Sequence, residues 1–450
     1  MLKCNAIRAS FFLEVLMNKL FKLQEAGTTV GTEVRAGLTT FFAMAYIIFL
    51  NPVFLSATGM DSEAVLIATC ISAAIGSLIC AFMSNKPFAM ASGMGMNAFF
   101  AYTLCGGYGF TWQQALAITF ISGILFLIVS LVLGEKAIKL IPDNLKHAIT
   151  VGIGLFIALI GMLDGGLLDL STGVPALANI SSPTVLISLA GLAIILILTI
   201  RKVKGSLIIG MVITIILSLL TGQTQMPGAI FSMPTAISRV AFKLDFGLLN
   251  NETLVGGFIA LISIIISMTI VDMFDTLGFL IGTASNAGML EGEEGKKSLS
   301  RVVTADALST VVGSLFGTST VTVYAESASG IAAGGKTGLT AFVTAICFLL
   351  ATFFSPIASI VTSAATAPVL IVVGMYLMMD IVKINVNDFS DLLPAFLTVM
   401  AIPFTYSITT GIAAGFIAHV ICKAGKGAFK EIQVSDYILV VIFVLYFVIK

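Results

Sequence analysis

Charge is what this chain lacks most. Of its 450 residues only 10% are Asp, Glu, Lys or Arg, while 58% are hydrophobic. Soluble domains carry about 25% charged residues, so a water-soluble globule is excluded. With a mean hydropathy of +1.09 the chain reads as an all-α polytopic membrane protein. Basic and acidic side chains cancel at 23 each, which argues against nucleic acid or any strongly acidic partner. There are two histidines, His147 and His419, far apart in sequence, so a zinc site or a Ser-His-Asp arrangement has little raw material. The six cysteines form no CxxC pair and mostly lie in apolar stretches, where they act as small hydrophobes. With no metal set, cofactor loop or nucleophile–base pair, the chain is not read as an enzyme, and no cofactor is expected. A signal peptide is not expected either, because the only apolar patch before the first span, 11–17, is short and no cleavage-site pattern follows it.

What is present is a succession of apolar runs of crossing length. They lie near 38–55, 64–83, 113–133, 145–163, 182–200, 205–222, 254–275, 338–361 and 365–380. A small-residue helix is expected at 301–315, and the long run 391–423 divides near Pro403 into 391–406 and 408–423. Two interrupted segments, 89–104 and 318–332, bring the expectation to about fourteen spans. The terminal run 437–449 is too short for a crossing and is read as an interfacial or packed helix. Lysine and arginine fall in alternate loops of this scheme (Lys19, Lys22, Arg35; Lys86; Lys136, Lys139, Lys146; Arg201, Lys202, Lys204; Lys296, Lys297, Arg301; Lys336; Lys383; Lys423, Lys426, Lys430). Only Arg239 and Lys243, in a long loop, depart from it. Both termini are therefore expected in the cytoplasm. The order of features before the long loop at 223–253 returns after it. HAITVGIGLFIALIGM resembles APVLIVVGMYLMMDI, and the pair 182–222 resembles 391–423. Seven spans is an odd number, so the second half must insert upside down: a 7+7 inverted repeat with a broken helix in each half, which is a transporter architecture.

The broken helices are helices 3 and 10. Residues 89–102 (AMASGMGMNAFFAY) and 317–330 (GTSTVTVYAESASG) hold glycine, serine and threonine together with Asn97 and Glu326. Irregular backbone and a carboxylate are tolerated at membrane depth where they line a protein-enclosed cavity. Glu326 can accept two adjacent ring N–H groups of a flat heterocycle, or cap a half-helix N-terminus; Ala325 beside it lets a ligand come close. Asn97 offers donor and acceptor to a purine or pyrimidine edge, or satisfies unwound backbone. Phe99 and Phe100 offer an aromatic face, one of them at least being packing. Residues 271–278 (VDMFDTLG) place Asp272 and Asp275 on nearby parts of one helix face. Either acid binds substrate or proton, or simply meets water near the helix end, and Asp275, closer to that end, is the milder site to lose. In the first span Phe42 and Tyr46 share a face and either closes a pocket or packs. The glycines of SGMGMN lack the rest of a phosphate loop.

Three segments, GMGMNAFFAY, VDMFDTLG and TSTVTVYAESASG, in this order and spacing, resemble the purine permeases of the azaguanine-resistance (AzgA-like) type. These form the hypoxanthine/guanine/adenine branch of the nucleobase:cation symporter-2 family, and the opening TTFFAMAYIIFLNP is similar to that branch as well. The resemblance runs from about Glu33 to Lys423 and implies a fold of fourteen helices in which a core domain moves against a gate domain. On this chain the core would be 38–133 (helices 1–4) and 254–361 (helices 8–11), the gate 145–222 (helices 5–7) and 365–423 (helices 12–14). Residues 1–37 would be a cytoplasmic N-terminal segment and 424–450 a C-terminal segment with a short apolar helix. The resemblance further implies that Asp272 and Glu326 are the two substrate-contacting acids and Asn97 the helix-3 asparagine. Uracil and xanthine transporters of the wider family carry a second polar group four residues after the helix-8 acid; that position here is Thr276. The resulting substrate-site candidates are Glu326, Asp272, Asn97, Ala325, Phe99, Tyr46 and Thr276, with Asp272, Glu326 and Asp275 for the proton.

The expected function is import of a purine base (guanine or hypoxanthine, with adenine a further candidate) with a proton, by elevator-type alternating access, in a multi-pass cell inner or plasma membrane protein. Family resemblance suggests a homodimer through the gate. The alternatives are a uracil or xanthine transporter of the same superfamily, or an anion transporter on the same fold, which two buried carboxylates disfavour.

Overall fold

In a bilayer every backbone N–H and C=O must be satisfied within the protein, so long apolar runs fold as helices. The computed structural model describes residues 16–133, 142–170, 175–250, 257–286 and 292–449. Lys136, Lys139 and the first fifteen residues of the expected N-terminal segment lie outside the described residues. Among the described residues, ten helices are long and apolar enough to cross a membrane. The first of these, Val30–Ser56, is two helices, α1 (Val30–Met44) and α2 (Ile47–Ser56), that meet at Ala45 and Tyr46. There follow α3 (Ser62–Ser84), α4 (Met94–Ala98), α5 (Trp112–Leu133), α6 (Asp143–Asp164), α7 (Pro183–Ile200) and α8 (Ser206–Leu220). After the long loop come α9 (Gly257–Asn286), α10 (Gly292–Phe316), α11 (Ser327–Ala332) and α12 (Gly338–Ala351). The last four are α13 (Ser363–Met378), α14 (Phe389–Thr405), α15 (Ile408–Gly425) and α16 (Val434–Ile449).

Local chemistry sets many of these ends. Asp61 caps α3 by accepting the Ala64 N–H at 2.8 Å, Asp388 caps α14 and Ser407 caps α15. Glu33 of α1 ties down the start of α12, accepting from the Lys336 and Thr337 N–H groups at 2.9 and 3.3 Å and from the Thr340 hydroxyl at 2.6 Å. The break between α14 and α15 falls at Tyr406, which takes the left-handed conformation (φ 50°), rather than at Pro403. Pro403 sits inside the last turn of α14, where its missing N–H forgoes a single ladder bond, to the Val399 carbonyl, without ending the helix. The run 338–361 is likewise not one helix: α12 stops at Ala351 and a 3-10 segment, Thr352–Ile360, carries Pro356 and a kink at Phe354.

The two glycine- and serine-rich stretches do not form continuous helices. Each gives a three-residue strand followed by a short helix: β1 (Met90–Ser92) leads to α4, and β4 (Val321–Val323) leads to α11. A second small pair, β2 (Leu168–Asp169) and β3 (Ala176–Leu177), lies in the loop after α6. Strands β1 and β4 pair antiparallel in the register Met90↔Val323, Ala91↔Thr322, Ser92↔Val321, so their backbone groups satisfy each other inside the protein. The closest helix packing falls into two groups. Helices α3, α9 and α10 pack against the strand pair, with α5 on α10, α12 on α3 and α1 on α12, while α6 packs on α13 and α14, α7 on α8 and α13, and α14 on α15. The terminal helix α16 packs on α15 and α9, with Phe416 and Phe443 in ring contact at 6.0 Å.

Candidate functional site

A cavity of about 410 Å³ lies against the strand pair, within the range of small-molecule sites. One wall is the two interrupted segments: Gly93, Met94 and Gly95 from the first, and Thr322, Val323, Tyr324, Ala325 and Glu326 from the second. Tyr46 reaches in from the break between α1 and α2, and Phe274, Asp275 and Phe279 from α9. The opposite wall is Thr150 of α6 with Val373, Tyr376 and Leu377 of α13. Asp380 and Lys383, ion-paired at 2.7 Å, stand at the mouth with His147, whose Nδ1 is 3.0 Å from Asp380.

The two glycines are there because nothing larger fits. A Cβ on Gly93 would come within 2.8 Å of Thr322 Cγ2, and one on Gly95 within 3.0 Å of Ile153 Cγ2 and 3.4 Å of Asp275 Oδ2. Main chain therefore forms this part of the wall. Glu326 occupies the N-cap position of α11, yet its side chain makes no capping bond. It turns into the cavity instead, where the Tyr46 hydroxyl donates to its Oε1. Of the two roles open to Glu326, the structure favours the carboxylate held ready by a neighbour over the helix cap. Tyr324 is anchored through its own hydroxyl to the Ser92 carbonyl at 2.6 Å, and its ring lies 6.5 Å from that of Tyr46. The deep part of the cavity thus holds two carboxyl groups and aromatic surface, while among the described residues the one basic group lining it, Lys383, is at the mouth. Such a pocket accepts hydrogen bonds from a flat, N–H-bearing ring and stacks on its faces.

Glu326, Ala325, Tyr46 and Asp275 are brought together in this cavity; Asp272, Asn97, Phe99 and Thr276 do not line it. Asp272 is fully buried behind the wall, with Oδ2 accepting from the Thr310 hydroxyl at 3.0 Å. Three residues along a helix rotate the side chain by about 60°, enough to send one acid into the cavity and the other into α10. The expectation that Asp275 is the peripheral member of the pair therefore reverses. Asn97 is buried one layer behind β1, its Oδ1 accepting from the Ser92 hydroxyl at 2.6 Å and from the Ser319 hydroxyl, so it ties the two interrupted segments together. Thr276 fastens α9 to the second of these segments, its hydroxyl 2.8 Å from that of Thr322. Phe99 and Phe100 are both fully buried in the packed interior. The aromatic surface comes from Tyr324, Tyr376 and Phe274, which sequence reasoning passed over. Tyr324 could have been found from its place two residues before Glu326; Tyr376 carried no such signal.

The Permease family profile matches residues 31–414. The adenine permease AdeQ of Escherichia coli is 38% identical over 95% of this chain and 95% of its own length. The guanine/hypoxanthine permease PbuO of Bacillus subtilis is 39% identical over 96% of this chain and 99% of its own. Among solved structures, the transmembrane domain of a cyanobacterial bicarbonate transporter, BicA, superposes with a TM-score of 0.65 at 14% identity, covering 84% of this chain and 97% of that one.

Proposed function

Since the chain belongs to the Permease family, and is a transporter rather than an enzyme, we propose that it imports purine nucleobases together with a proton. Guanine and hypoxanthine are the leading substrates and adenine a third. The observation that carries the reading is the cavity between the two interrupted segments, with Glu326 and Asp275 facing it from different elements. Glu326 accepts two adjacent ring N–H groups of the base, Asp275 accepts a further donor, and Tyr324, Tyr376 and Phe274 enclose the ring. Asp272 serves the proton. Relatives across nearly the full length are named for adenine, guanine and hypoxanthine, which favours these bases over uracil or xanthine. An anion is disfavoured by two carboxyl groups with no basic side chain at depth.

Transport follows an elevator-type motion in a fourteen-helix inverted repeat. The cavity lies where the helices around the strand pair meet those built on α6 and α13, the two groups assigned to core and gate. Its mouth lies beside Lys383, in a loop that the basic-residue pattern assigns to the cytoplasm, so this is the inward-open form, with both termini cytoplasmic in an inner or plasma membrane protein. A homodimer through the gate helices completes the proposal. The test is uptake of tritiated hypoxanthine by cells lacking their own purine uptake, competed by a panel of unlabelled bases. Competition by guanine and hypoxanthine is expected, with collapse on addition of a protonophore; competition by uracil or xanthine alone would refute the guanine/hypoxanthine assignment.

A further inference from the structure

Behind the cavity wall lie two carboxyl groups that no base neutralises. Asp272 on α9 and Asp306 on α10 are both fully buried, and the ion pairs among the described residues all involve other side chains. Both are fastened to alternate residues of β4. The Thr310 hydroxyl that donates to Asp272 Oδ2 also accepts the Val321 N–H, at 3.2 Å. The Val323 N–H goes directly to Asp306 Oδ1, at 2.7 Å. Each acid keeps one buried oxygen, Asp272 Oδ1 and Asp306 Oδ2, outside the well-formed hydrogen bonds among the described residues, with the Thr320 hydroxyl beside Asp272 and the Thr276 and Thr322 hydroxyls beside Asp306. The two carboxyls act on each other's charge. The other titratable groups around them are Asp275 on α9 and Cys80 on α3, with Tyr324 and Glu326 beyond the strand. None of these supplies a positive charge.

Two anions in this setting would each carry a desolvation cost of about several kcal/mol, met only by neutral hydroxyl and N–H donors and by no positive charge among the groups around them. One proton removes that problem. It neutralises one carboxylate and turns Asp272 Oδ1 or Asp306 Oδ2 into a donor, for which the other carboxylate or the Thr320 hydroxyl is the acceptor. A metal cation suits the site less well, because an N–H and a hydroxyl point their hydrogens at the carboxyls, whereas hard cations are held by carbonyl, carboxylate and water oxygens. Among the described residues no group of three acids, histidines or cysteines is poised for a metal.

We propose that Asp272 and Asp306 together hold the cotransported proton, shared between them behind the substrate cavity. This rests on proton-coupled purine transport, and it brings in Asp306, which sequence reasoning had not considered. The link to the substrate is β4. Thr322, between the two anchored residues, lines the cavity and touches Thr276, and Glu326 follows three residues after Val323. With the proton gone, two like charges push on the strand whose far side is the binding wall. One proton then crosses with each base, carrying one positive charge inward.

The test uses the purified chain in proteoliposomes with tritiated hypoxanthine and an inside-alkaline pH gradient. Wild type is expected to accumulate the base against its gradient. For Asp306→Asn the accumulation ratio should fall to about one, while counterflow without a gradient falls much less. An Asp306→Asn variant that accumulates hypoxanthine like wild type would overturn the proposal. Should that variant fail to fold, wild type alone decides: binding of hypoxanthine to the detergent-solubilised protein in weak buffer should take up about one proton per base. No proton uptake, or accumulation driven by a sodium gradient with pH clamped, would equally overturn it. If wild type neither binds nor exchanges hypoxanthine, guanine or adenine, the purine reading itself fails and this proposal falls with it.

Discussion

Glu326→Gln changes one atom and should cost most of the affinity, for a reason visible in the site. In the native protein the Tyr46 hydroxyl donates to Glu326 Oε1, leaving Oε2 for the cavity. Glutamine has a single acceptor oxygen. Tyr46 keeps hold of it, so the amide NH₂ is driven toward the ring N–H groups of the base, donor against donor. Leaving a desolvated donor unpaired costs about 1–3 kcal/mol, and more where the lost partner was charged. At about 1.4 kcal/mol per tenfold, that is about fivefold to more than a hundredfold in affinity. The assay is initial-rate uptake of tritiated hypoxanthine over a concentration series, with the amount of protein in the membrane measured alongside. The expected result is an apparent affinity reduced by that range, or uptake lost, at an undiminished membrane level. Combining Glu326→Gln with Tyr46→Phe releases the amide to turn its oxygen inward, so the double variant should recover part of the loss. An unchanged affinity in Glu326→Gln would refute the argument and leave the carboxylate a structural group.

Asp275→Asn should weaken hypoxanthine binding about tenfold, since the acid faces the cavity and removing a charged acceptor costs about 1–3 kcal/mol; equal affinity in a filter-binding assay would place the base elsewhere. Gly330→Ala should lower the melting temperature, because the new Cβ would lie 2.8 Å from the Ala36 carbonyl of α1, an overpacking of about 1–3 kcal/mol. Glu33→Ala strands two backbone N–H groups and a hydroxyl at the start of α12 and should destabilise by about 3 kcal/mol or more in a thermal-shift measurement, with Glu33→Gln milder. Cysteine labels at Lys204 or Lys297 should react only from the cytoplasm and one at Gly165 only from outside; equal labelling in intact cells would sink the inverted topology.

The membrane class and most helix positions could be read from the chain because hydropathy is a local property, averaged over a window about as long as one crossing. The same holds for the two interruptions: a carboxylate and a row of glycine and serine stand out against apolar surroundings without reference to anything distant. Glu326 stands out in this way, whereas Tyr46 is singled out only by the helix face it shares with Phe42. Other features depend on residues more than two hundred positions apart. Nothing in AMASGMG or TVTVYAE says that Met90 will lie opposite Val323, yet that pairing builds the wall of the site. The roles of Asp272 and Asp275 were also beyond the sequence, since both lie on nearby parts of one helical stripe and only the packing of α10 on one side and the cavity on the other separates them. Phe99 was chosen for stacking and proved to be packing, while Tyr324 and Tyr376 hold the cavity, because an aromatic ring in an apolar helix looks the same in sequence whichever way it points. Asp306 was overlooked for a related reason: its partner in charge lies on another helix. Composition and periodicity determined what kind of protein this is and roughly where its chain crosses the membrane. Side-chain direction, set by packing between distant segments, decided which of its few polar groups meet.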